Sequence, residues 1–278
     1  MKTRNVVSLA VALALGMGAS LKADQPARVT EAVNIVEHGA SMNSATSQAA
    51  IGTLVHDGEY LKTGTQSRAE MVLPSTSITR LGANTIFNYS TDSNTVDLQA
   101  GTILFCKPKH APGLNIKTAA VTAGIVGTTG FVSIQGEGSK KTYVLGLIEG
   151  HATAWADGHP FSVGAGEVVE FKPGSKPFIF AYDLPRFVKS TPLLNKFKGL
   201  PNQAYIDRAV AEYQDDVKRG FVQAPSQAIS YAGGIPILPT LAYSSAMNSL
   251  SQPSKGGPPP PPQQPSSPTG YPGNSSYH

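Results

Sequence analysis

Gly124-Ile125-Val126-Gly127-Thr128-Thr129-Gly130-Phe131-Val132-Ser133-Ile134 is the stretch that decides the fold class of this chain. Small residues crowd its first half, and β-branched and aromatic residues fill the second. Val, Ile, Thr and Phe suit a pleated strand, and glycine tolerates the positive φ that sharp corners require. The same unit, a short Val/Ile/Leu/Thr run stopped by glycine, recurs through the first two-thirds of the sequence. Turn signals return about every ten residues, the rhythm of a sandwich, barrel or solenoid of short strands. No strict fixed-length repeat is present, which speaks against a β-helix of identical coils.

Working outward from that stretch, the strand-like runs are easily followed. Arg68-Ala69-Glu70-Met71-Val72-Leu73 alternates, placing Ala69, Met71 and Leu73 on one face. Further runs are Ile78–Leu81, Thr85–Tyr89, Ile103–Phe105, Ile116–Val121, Phe131–Ile134, Thr142–Ile148, His151–Trp155, Phe161–Val163 and Glu167–Phe171. Beyond residue 184 the pattern changes. Thr191 is expected to cap a short helix with Pro192 at its first position and Gly199 at its close. Asn202 is expected to cap a second helix that carries Ile206, Ala209, Val210, Tyr213 and Val217 on one stripe and stops at Gly220.

The whole chain sets the limits. It has 278 residues, 40% of them hydrophobic, which is enough for a substantial core, while 28 Gly and 22 Pro disfavour an all-α protein. Lys2 and Arg4, the apolar Val6–Met17 and Leu21-Lys22-Ala23 read as a signal peptide. The apolar part is shorter than the ~20 residues a membrane-spanning helix needs. The formal charge of +4 owes three of its cations to that segment, so the exported part is nearly neutral and no nucleic-acid partner is expected. The sole cysteine, Cys106, excludes an internal disulfide and reads as a buried thiol, with intermolecular pairing as the alternative. The expected organisation is a signal peptide over 1–23, a β domain over 24–183, a helical appendix over 184–235 and a disordered Pro/Ser/Gly-rich tail over 236–278, with the proline run Pro258–Pro262 inside it.

No catalytic device is legible. Glu149, Asp157 and Glu167 read as turn residues beside glycines. His151 and His159 flank a turn and would have to approach each other to share a metal, but no ligand-spacing motif supports that, so neither metal nor cofactor is expected. Gly136-Glu137-Gly138-Ser139 lacks the strand-to-helix setting of a nucleophile elbow. Trp155 and Phe161 read as core aromatics, with contact to a ligand as the alternative.

The blocks Gly52–Val55, Asp57-Gly58, Leu61–Gly64, Ser67–Leu73, Ile78–Thr85, Leu98–Gly101, Ile116–Thr118, Gly127-Thr128, Leu147–Gly150 and Ala165–Glu167 together resemble the FecR domain over roughly residues 30–172. The fold-motif positions are Gly58, Gly64, Gly82, Gly101, Gly127, Thr128, Gly150 and Gly166. The resemblance implies a non-enzymatic, extracytoplasmic module, all-β and shaped as a twisted β-solenoid. In the regulator branch of that family such a module is fused to a cytoplasmic anti-sigma segment and a membrane helix; neither is legible here. The expectation is an exported binding or structural protein of the periplasm, envelope or exterior, with an envelope protein or a cell-wall polymer as partner. A carbohydrate- or peptidoglycan-binding module and a periplasmic signalling partner of a separate membrane regulator are the alternatives.

Overall fold

Apolar side chains on alternate positions of short strands can be buried only if the strands close over one another. The computed structural model, which describes residues 25–222, 230–232 and 235–237, does this with seventeen linked strands and three helices. The expected signal peptide over 1–23 and, apart from Pro236 and Ile237, the expected tail lie outside the described residues.

The chain begins with β1 (Ala27–Val33), β2 (Val36–Gly39), and the two-residue β3 (Ser47–Gln48) and β4 (Leu54–Val55). Then come β5 (Tyr60–Thr63), β6 (Arg68–Val72), β7 (Ile78–Leu81), β8 (Ile86–Ser90) and the long β9 (Thr95–Cys106). They are followed by β10 (Leu114–Lys117), β11 (Val121–Ile125), β12 (Thr129–Gln135) and β13 (Thr142–Glu149). β14 (His151–Ala156), β15 (His159–Gly164), β16 (Glu167–Phe171) and β17 (Phe178–Ala181) complete the body.

The pairings sort these strands into two layers. The first runs β4-β1-β6-β7-β9-β12-β13-β16-β17, and the second β3-β2-β5-β8-β9-β10-β11-β14-β15. β9 belongs to both: Thr95–Leu98 pair in the second layer and Gly101–Cys106 in the first. The chain passes repeatedly from one layer to the other, so the body combines a sandwich's two faces with a solenoid's winding. The core between the layers takes Val29 and Met71 from one side and Leu61, Phe87 and Ala123 from the other.

Each fold-motif glycine lies at one of these crossings. Gly58 joins β4 to β5, Gly64 joins β5 to β6, and Gly82 joins β7 to β8. Gly101 bends β9, Gly127 precedes β12, Gly150 separates β13 from β14, and Gly166 leads into β16. At Gly101 φ is +82°, and a Cβ would meet Thr85, so no other residue fits without strain. Thr63, Thr85 and Thr102 stack beside this corner. The Thr63 hydroxyl donates to Gly82 O at 2.6 Å, and that of Thr85 to Thr102 O at 3.1 Å. Buried hydroxyls thus satisfy backbone carbonyls that leave the ladders as the chain turns.

Among the strands, two segments differ from their sequence reading. The run Ile116–Val121 is not one strand, because β10 and β11 are separate and antiparallel, with Thr118 Oγ1 accepting from Val121 N at 2.9 Å in the turn between them. Phe178–Ala181, not expected as a strand, adds to β16.

A second apolar core lies outside the first layer. Its outer face presents Leu104, Cys106, Phe131, Val144, Ile148 and Val168 to α1 (Leu184–Ser190), α2 (Pro192–Asn195) and α3 (Gln203–Arg219). Phe131 packs against Phe187 at 4.6 Å and edge-on to Tyr182 at 5.9 Å, and Tyr182 Oη donates to Leu147 O at 2.9 Å. Gly146 makes the space for this cluster, since a Cβ there would run into the Phe131 ring. The α3 stripe buries Ile206, Ala209 and Tyr213, with Val210 and Val217 partly covered, and Gly220 ends the helix at φ +75°. α2 stops at Asn195 rather than at Gly199, and α1 was not foreseen: Asp183 caps it by accepting from Arg186 N at 3.0 Å.

Candidate functional site: the open face of the second layer

The outer face of the second layer carries no helix among the described residues. On β14 the three alanines Ala152, Ala154 and Ala156 point into the core, which turns His151, Thr153 and Trp155 outward. Trp155, the only tryptophan of the chain, is 43% exposed. It is therefore not the core aromatic that its hydrophobicity suggests. Phe161 pairs with the buried Ala154 and faces inward, so it is on the opposite side of the layer from Trp155. It is half-buried against the core and lines a cleft of about 600 Å³ with Pro160 and Ile179. The two aromatics do not form one site.

Register places the outward residues in rows. One row crosses Asp97, Lys117, Thr122, Trp155 and Pro160 on consecutive strands. The neighbouring row crosses Thr95, Asn115, Gly124, Thr153 and Ser162. Lys117 Nζ and Asp97 Oδ2 are 3.8 Å apart, and Gln99 Nε2 donates to Asp97 Oδ1 at 2.7 Å. Partial burial raises the Asp97 carboxyl pKa, against the pull of Lys117.

His151 and His159 sit at opposite ends of the β14–β15 hairpin, about 17 Å apart by strand rise. They cannot share a metal. No group of three His, Cys, Asp or Glu able to hold a metal occurs among the described residues. Asp157 and Gly158 form the hairpin turn with φ of +50° and +76°, as a type I′ turn requires. Glu167 Oε2 accepts from Gly164 N at 2.7 Å and serves its own turn.

Glu149 is not a turn residue at all. It is buried beneath α3, where Oε1 accepts from Thr129 Oγ1 at 2.8 Å and from Asn202 Nδ2 at 2.9 Å. Asn202 does hold the cap position of α3, but its side chain makes no cap bond. It turns inward, donating also to Thr129 Oγ1 at 3.2 Å and Lys107 O at 3.3 Å. Burial raises the Glu149 carboxyl above its ordinary value, and the hydrogen bonds from Thr129 and Asn202 oppose this. Cys106 beside it is fully buried, and burial pushes its thiol pKa up, away from the reactive thiolate.

A second pin lies farther along the first layer. Arg80, 1% exposed, donates from Nε to Glu70 Oε2 at 2.8 Å and from Nη1 to Leu193 O at 2.9 Å; Nη2 reaches Lys198 O. Its guanidinium also lies 4.7 Å from the centre of the Phe197 ring. A cleft of about 520 Å³ opens beside this contact, but its Arg68 is already held by Glu31 at 3.1 Å. The two buried polar groups fasten the helices to the layer.

No described helix is long and apolar enough to cross a membrane. No curated protein matches the chain. Two crystal structures of a candidate anti-sigma factor from Parabacteroides distasonis ATCC 8503 are similar at 13% and 12% identity, each with a TM-score of 0.42. Each match covers 49% of this chain, which spans 65% and 64% of those chains, less than two thirds of their length. Residues 59–153, from just before β5 into β14, match the family model described as FecR protein. Most of the corner glycines, from Gly64 to Gly150, lie within that match, and residues 59–153 are similar to the FecR family.

Proposed function

We propose that the chain is an exported, non-enzymatic binding protein of the bacterial envelope. Its contact surface is the open outer face of the second layer, offered to a wall polymer or an envelope protein. The observation that carries this reading is Trp155: the single tryptophan stands exposed on a face with no helix over it among the described residues, while Phe131, Tyr182 and the α1 residue Phe187 are packed together between the first layer and its helices. An indole left in water on a rigid face is a preferred anchor for a partner. A second reading, a signalling partner of a separate membrane regulator, is favoured by the FecR match alone.

Co-sedimentation of the full chain with isolated envelope material tests the proposal. Retention is expected for the parent and not for Trp155→Ala, with circular dichroism unchanged. Equal retention of the two proteins, or turnover of any envelope substrate by the pure chain, would overturn it.

A further inference from the structure

β10, β11 and β14 are each flanked by strands on both sides, so a partner on this part of the face meets side chains and not backbone. An extended peptide docks by adding a strand to an open edge; β10, β11 and β14 offer none, the edge of the layer lying at β15. Charge narrows the choice again. Lys117 and Asp97 face each other and cancel, whereas a nucleic acid or an anionic polymer needs concentrated cations.

What remains is neutral hydrogen-bonding chemistry around an indole. Thr122, Thr153 and Ser162 spend no side-chain hydrogen bond on the described protein, and the Asn115 amide contacts only Ser93 O, at 3.2 Å. The Trp155 ring lies beside Gly124, where a Cβ would stand 4.0 Å from Cζ3, in ordinary contact, and a larger side chain would lie on the ring. Successive strands are ~4.8 Å apart, so these groups recur at an even step along a line crossing the strands.

A ribbon of linked sugar rings matches that pattern. Each ring has an apolar C–H face to lie on the indole and hydroxyls at its rim for the flanking groups. We infer that this face binds a neutral, extended polysaccharide laid across β10, β11 and β14, with one ring stacked on Trp155. This rests on the proposed reading that the open face is the contact surface.

The test uses the full chain and a hexasaccharide of β-1,4-linked N-acetylglucosamine. With one tryptophan in the chain, indole emission reports from the site itself. Titration is expected to give a saturable emission change and protection from acrylamide quenching. By calorimetry, Trp155→Ala should weaken binding about tenfold or more, the scale of a truncated aromatic anchor. Gly124→Leu, which would lay a side chain on the ring, should do the same. Phe221→Ala, at an exposed aromatic elsewhere, should leave affinity unchanged. Absence of saturation, affinity equal to the parent's in both site variants with the fold intact, or binding only to an anionic polysaccharide would overturn the inference. Should the hexasaccharide fail while Trp155→Ala still abolishes envelope retention, the ligand class alone falls. Retention indifferent to Trp155 would bring down the proposed function as well.

Discussion

The two outer faces of this body come from the same pleat and share a strand, yet among the described residues one is covered and the other is bare. Along β9 the half in the second layer alternates, with Val96 and Leu98 buried and Thr95 and Asp97 only half-covered. The half in the first layer buries Ile103, Leu104, Phe105 and Cys106 in succession. A strand covered on both sides must be apolar on both, whereas one wet on a single side can stay amphipathic. The covered face has helices fastened by Arg80 and by the Glu149–Asn202 pair; the bare one offers threonines and an indole. Among the described residues, one face is finished by the chain's own helices and the other is not.

That contrast can be broken most severely at Arg80. Replacement by Ala would leave Glu70 without its counter-ion, with Thr30 Oγ1 still donating to it, and release Leu193 O and Lys198 O. A loss of about 3–5 kcal/mol in urea unfolding is expected, as for one member of a buried ion pair. A loss below 1 kcal/mol would mean that the helices hold by apolar packing alone. Asn202→Ala should cost about 1–3 kcal/mol by stripping the buried Glu149 of a donor.

The pH dependence sharpens the same point. Because burial raises the Glu149 pKa in the folded state, its contribution is fully present below the ordinary value of 4.5 and declines as pH rises through the raised value. Glu149→Gln retains an acceptor for Asn202 and cannot ionise. Urea midpoints measured from pH 4 upward should therefore fall less for the variant than for the parent; parallel curves would refute the assignment. Smallest of all is Trp155→Ala, expected within about 0.5 kcal/mol of the parent in unfolding because it removes a surface side chain. A larger destabilisation would show the bare face to be part of the core.

Much of this was legible from particular residues. The alternation of Ala69, Met71 and Leu73, the corner glycines and the α3 stripe ending at Gly220 needed no coordinates, since each follows from local backbone chemistry. What periodicity cannot tell is which face becomes covered. His151, Thr153 and Trp155 alternate with Ala152, Ala154 and Ala156, and a large apolar ring reads as the inner residue; here the alanines take the inside. Glu149 before Gly150 looks like a turn acid because its burial is produced by α3, more than fifty residues later. Asn202 was placed at the correct position for a wrong reason, its side chain being drawn to Glu149 rather than to its own helix. α1 could have been found from Asp183 and Pro185, a cap and an early proline, but the run is only seven residues long.

The bend of β9 at Gly101 has a bearing on how the molecule opens. Since one continuous strand lies inside both layers, neither can peel away without tearing the other's ladder, and amide protons along β9 should exchange with solvent only when the entire body unravels. Fraying, and the earliest deuterium uptake, should begin at the two-residue rim strands β3 and β4.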